Sequence, residues 1–178
     1  MKFFGFLLCC LYSVASFGQS TEAPNSTKAI LLQQLKESQD DAQWFVPLGN
    51  AVKDLTPAQA MWKPDDSSHS IVQLVSHLLF WNSRSLNNFL GRPNGAFNGN
   101  NDETFANLQP GQWSAMVKRV DSLSSAWESA VASAKESALT KANYELIGRT
   151  SSHNAYHTGQ IMYVRKQQRA WDVSKGVK

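Results

Sequence analysis

Apolar side chains recur at near-helical spacing along most of this chain, with polar residues between them. After a polar leader ending at Ser26 or Thr27, either of which can cap a helix, Ile30, Leu31, Leu35, Ala42, Phe45 and Val46 predict a first helix. Pro47 lacks an N–H and crowds the preceding turn, so it ends or kinks that helix. Leu48, Ala51, Val52 and Leu55 carry the face onward. Thr56-Pro57 starts a short capped turn, and residues 58–70 read as a loop with an apolar plug at Met61-Trp62.

Ser70 caps a second helix, whose face is Ile71, Leu74, Val75, Leu78, Leu79, Trp81 and Leu86 and whose stop is Gly91 followed by Pro93. The stretch Arg92 to Gln109 carries five Asn and predicts no regular element. A connection this long suits a crossover or a lid over a site. From Pro110, the positions Trp113, Met116, Val117, Val120, Leu123, Trp127, Ala130, Val131 and Ala134 hold helical register as a third helix. A fourth covers roughly residues 142–170, with Tyr144, Ile147, Ile161, Val164 and Trp171 bracketing a polar middle. No strand-like alternation occurs. The predicted fold is all-α, a four-helix bundle with a long connection between helices two and three.

Residues 1–18 follow a different rule. Lys2 precedes an apolar run from Phe3 to about Val14, and small residues at Ser16 and Gly18 suit a signal-peptidase site. The run is shorter than the roughly 20 residues that span a bilayer, so the reading is a cleaved secretory leader without a lasting membrane anchor. A retained anchor is the weaker reading, and Cys9 and Cys10 after Leu7-Leu8 leave lipidation as a second alternative. The expected product is residues 19–178, exported to a periplasm or secreted. Losing the leader removes Lys2 and no acid, leaving 16 basic and 14 acidic residues and a formal charge of +2. Both cysteines leave too, and with them any thiolate nucleophile or Cys ligand.

The chain of 178 residues, 42% hydrophobic and 17% charged, suits one globular domain. No Lys/Arg run marks the phosphate-neutralising face that nucleic-acid binding requires.

The chemistry concentrates in four histidines. His153 and His157 are four residues apart, so on a helix they share one face about 5–6 Å apart and can aim at one cation. Alone, such a pair is also common on solvated surfaces, and a third ligand decides the matter. His77 lies inside the apolar stripe of the second helix and points inward; if that helix neighbours the fourth, it approaches the pair near mid-bundle. His69, in the preceding loop, reads as exposed or capping. Gln160, three residues past His157, is placed to orient a ligand or to satisfy backbone. Tyr156 either lines the pocket or packs with its hydroxyl at the surface, the second being favoured. Trp81 either walls the site or fills core, again the second. Arg149 and Arg165 could receive an anionic substrate, although solvent exposure is expected of both. No carboxylate stands at helical spacing from the pair to serve as general base.

Two segments carry a resemblance, LTPAQAMWKPDDSSHSIVQLVSHLLFWN (55–82) and SSHNAYHTGQIMYVRKQQRAWD (151–172). They resemble the DinB-like superfamily of metal-binding four-helix bundles, whose last helix often reads HN-x-YH-x-GQ, here His153 to Gln160. The resemblance implies that His77, His153 and His157 hold a divalent metal with an open position. Three imidazoles suit Zn, Ni, Fe, Mn or Cu, with Zn or Ni foremost. It further implies a metal-dependent enzyme of hydrolase or thiol-dependent transferase type, acting on an unidentified small molecule through a water or a substrate thiol, and a homodimer is compatible with it. The low-molecular-weight thiols such relatives use are cytosolic, whereas the leader points outward. The alternative is a helical bundle that binds metal or a partner without catalysis.

Overall fold

The computed structural model describes residues 26–176, so the predicted leader, with Cys9 and Cys10, lies outside the described residues. Among the described residues there are six α-helices, four of them long, and no strand: α1 (Thr27–Gln39), α2 (Leu48–Val52), α3 (Pro57–Met61), α4 (Ile71–Phe89), α5 (Trp113–Ser133) and α6 (Lys141–Gln167). The all-α expectation therefore holds. No described helix is long and apolar enough to cross a membrane.

Helix starts follow local chemistry. Ser26 accepts the amide of Ala29, and reciprocal capping boxes open α3 (Thr56 with Gln59), α4 (Ser70 with Gln73) and α6 (Thr140 with Asn143). Each box satisfies two of the amides that a helix start leaves without intrahelical partners. After α4 the chain turns at Gly91, whose φ of +65° is the left-handed conformation glycine adopts without steric cost.

Several boundaries differ from expectation. The first helix stops at Gln39, seven residues short of Val46. Asp40 and Asp41 sit at its carboxyl end, where the helix dipole disfavours anions, and Val46 is held out of the α region by Pro47. Residues 57–61, predicted within a turn and loop, form α3, because Pro57 at the first helical position and the Thr56–Gln59 box together support a helical turn. The third long helix begins at Trp113 after a 3-10 turn at Pro110–Gln112. The Asn-rich connection contains a 3-10 turn at Asn101–Thr104.

Helix α1 packs against α5 and α6, and α4 packs against the same two. Their buried faces form two apolar clusters. One gathers Leu48, Val52, Ile71, Leu74, Leu78, Trp113, Val120 and Ile161. The other gathers Leu35, Leu86, Trp127, Val131 and Ile147. Along α4 and α6 the stretch between them is polar and buried, holding His77, Asn82, Asn154 and His157. Asn82 donates to the Asn154 side-chain carbonyl at 2.8 Å and accepts the Trp127 indole N–H on its own backbone carbonyl at 3.1 Å, tying α4 to both α6 and α5.

Arg165 corrects the expectation of a solvated side chain. It is 5% exposed, and its guanidinium donates to the backbone carbonyls of Ala51, Lys53 and Ala170 while lying over the Trp171 ring. A cation at those carbonyls satisfies acceptors that the ends of α2 and α6 would otherwise leave unpaired. Burial holds its pKa below the ordinary arginine value.

Candidate metal centre

Three imidazoles meet in the polar stretch. Helix α4 supplies His77 and the middle of α6 supplies His153 and His157. Each ring offers a nitrogen within 4.8 Å of the other two. The Nε2 atoms of His77 and His153 are 3.0 Å apart, and the rings of His77 and His157 lie 4.6 Å apart, centre to centre. His77 is 3% exposed and His157 6%, whereas His153 is half-buried.

Hydrogen bonds fix which nitrogen of each buried ring faces the others. The Thr104 hydroxyl donates to the Asn101 carbonyl at 2.6 Å, so its oxygen is the acceptor for the Nδ1–H of His77, also at 2.6 Å. The Gln160 side-chain carbonyl accepts from His157 Nδ1 at 2.6 Å. With the proton on Nδ1 in both, His77 and His157 turn Nε2 lone pairs toward the shared space, the tautomer a metal ligand requires. Two nitrogens 3.0 Å apart with facing lone pairs repel unless a proton or a cation lies between them. Ligands held at about 2.0–2.1 Å from one ion stand about 2.8–3.4 Å apart for angles from square to tetrahedral, and the His77–His153 separation falls within that range. The donor set fits a divalent cation.

Burial also keeps the rings uncharged. Desolvation, followed by the neighbouring His157 and His153, pushes His77 down to about 3. Desolvation and then His157 bring His153 to about 4. His157 is lowered by burial, with its Gln160 hydrogen bond acting the other way. Neutral imidazole is the metal-binding form.

The Asn-rich connection reaches this centre. Phe105 stacks on His77 at 4.0 Å and 9°, and His69 stacks on Phe105 at 4.0 Å and 4°. Gln73, while capping α4 with its carbonyl, donates its amide to the Phe105 carbonyl at 3.3 Å and anchors the connection there. Spacing gave no sign of Thr104 and Phe105; the only signal was the length of the connection. His69 is exposed as expected and is no part of the nitrogen group.

The remaining candidates divide. Gln160 orients His157. Trp81, expected as core filler, is half-buried and walls a cavity of about 460 Å³ that His77, His153, Asn101, Arg149 and Thr150 also line. Its indole N–H donates to the Asn101 side-chain carbonyl at 3.1 Å. Tyr156 is 65% exposed with its edge against His157, and it lines a second cavity, about 450 Å³, with His69, Gln160 and Tyr163. Arg149 is exposed, as expected.

Gln160→Ala removes the acceptor that orients His157 and should lower cation affinity about 10- to 100-fold with little change in unfolding midpoint. A chelator-competition titration checks this, and an affinity within threefold of wild type would count against that role for Gln160.

A family model described as the DinB superfamily matches residues 48–162. No curated protein and no solved structure matches the chain.

Proposed function

This chain belongs to the DinB superfamily, and from that premise we propose that it is an exported, metal-dependent enzyme that holds one divalent cation, Zn or Ni, on the Nε2 atoms of His77, His153 and His157. The observation that carries the reading is the pair of hydrogen bonds from Nδ1 of His77 to Thr104 and from Nδ1 of His157 to Gln160. They aim two lone pairs inward, toward a third nitrogen that stands at ligand spacing. A purely structural cluster would pair the same two N–H groups, but its one remaining proton, on His153, could satisfy only one of the two inward lone pairs and would leave the other buried without a donor.

Three protein ligands leave part of a cation's coordination sphere free, the pattern of reactive sites more than of structural ones. Such a cation, when bound, supplies Lewis acidity that lowers the pKa of a water or a substrate thiol. The chain's own residues do the rest. Thr104 and Gln160 fix the ring tautomers, Phe105 covers the face of His77, and the cavity beside His77 and His153 gives a small molecule access. That cavity is what favours a hydrolase or thiol-dependent transferase over a closed metal store.

Elemental analysis of protein purified without an affinity tag tests the reading. About one equivalent of a divalent metal is expected, followed by turnover within a panel of esters, amides and thiol adducts. Negligible metal, with no uptake of added Zn or Ni, would overturn it.

A further inference from the structure

The cavity beside the histidines has a one-sided charge. Among the described residues no Asp or Glu lines it, and apart from the histidines Arg149 is its one ionisable side chain. Three neutral imidazoles contribute no negative charge, so a divalent cation on them keeps its full double charge toward the cavity. Arg149 stands four residues before His153 on α6, one turn away on the same face, and adds a second positive centre. Its partner is Glu145 at 3.2 Å, an exposed carboxylate that Lys141 also approaches at 3.6 Å. Exposed pairs of this kind are weak and exchange readily. The rest of the wall is uncharged: Leu146 and the Trp81 ring, the latter held by its bond to Asn101, stand beside the polar Asn82, Ser85 and Thr150, and most of the surface they expose is carbon. At about 460 Å³ the cavity is within the range of small-molecule sites, about 300–1,000 Å³.

We propose that this cavity takes a small organic anion, a carboxylate on an apolar body, with the Arg149 guanidinium anchoring the carboxylate and Trp81 and Leu146 covering the body. The placement deepens the proposed function and rests on it for the reacting end of the substrate, which faces His77 and His153. Arg149 is then a specificity residue: a guanidinium meets a carboxylate with two parallel N–H bonds, which an amide or alcohol of the same shape cannot draw as strongly.

The test compares 4-phenylbutyrate with its uncharged amide, 4-phenylbutyramide, by calorimetry and tryptophan fluorescence, on Zn-loaded and chelator-treated protein. Chelator-treated wild type should prefer the acid about five- to tenfold, and Zn loading should widen the preference. Arg149→Gln should abolish the preference in the chelator-treated protein, and Arg149→Lys should restore part of it. Arg149 is 78% exposed in its side chain, so neither variant should disturb folding. An unchanged preference in Arg149→Gln, or none in the wild type, overturns the proposal whatever the metal content. Arg149-dependent preference that Zn does not widen, in protein that takes up no metal, upholds the anion site while removing the metal reading.

Discussion

Replacing His77 or His153 with alanine should abolish stoichiometric metal in the purified protein and weaken Zn or Ni binding by more than about a hundredfold, beyond the 10- to 100-fold typical of losing an outer partner. His77 and His153 come from different helices, and their Nε2 atoms stand 3.0 Å apart. Either substitution leaves at most two imidazoles, too few to compete with water and buffer for a divalent ion. His77 is 3% exposed, so its removal also opens a hole beneath Phe105. Circular dichroism and a His77→Gln variant, which keeps bulk in place, separate lost ligation from lost fold. His69→Ala is the matched control: that ring is exposed, stacks on Phe105, lies outside the group of three imidazoles, and should leave metal content unchanged. Equal metal in the His77 and His153 variants and the wild type would show that the imidazoles do not hold it.

With chelator present, stability should fall steeply as the pH drops from about 6.5 to 5. In the folded protein His77 titrates at about 3 and His153 at about 4, against an ordinary value near 6.5. Below 6.5 the unfolded chain takes up protons that the folded chain refuses, so these rings contribute fully above that pH and their contribution is lost as pH falls toward 4 and then 3. Across the window from 6.5 to 5, His77 accounts for roughly 2 kcal/mol, and the half-exposed His153 for less because solvent screens it. Most carboxylates are silent in that window; Glu128, raised by burial and then by the neighbouring Asp40, is the exception and acts with the opposite sign, so a Glu128→Gln background isolates the histidines. Urea unfolding at pH 7.5, 6.5, 5.5 and 5 reads the slope, and a His77→Phe variant should flatten it. A wild type equally stable at 6.5 and 5 would mean that the rings are not held neutral by burial.

Much of this arrangement was legible along the chain, and the exceptions share a cause. Helices α4 and α5 carry continuous apolar faces, and in α6 the pairing of His153 with His157 follows directly from helical spacing. His77 was readable as inward because it interrupts an apolar stripe that the core claims on either side. What escaped depends on partners distant in sequence. Arg165 is buried because carbonyls more than 100 residues earlier need its guanidinium, and nothing adjacent to it announces that. Thr104 and Phe105 reach His77 across 27 and 28 positions of chain, from a segment whose composition predicts only irregular backbone. The early end of α1 is a competition between a weak helical pattern and two acids at its carboxyl end, decided by electrostatics that periodicity does not register.

The amide pair Asn82–Asn154 bears on how the ligands come to be aligned. Asn154 directly follows His153, and Asn82 lies five positions beyond His77, so the bond between them acts as an alignment pin for the two rods that carry the histidines. Sliding one rod past the other by a turn, about 5.4 Å, would strand two buried amides against aliphatic neighbours and pull His77 away from His153 in the same movement. Selection against that slip belongs to the apolar interior and its pinned amides, so the receptacle for the ion is assembled by folding itself.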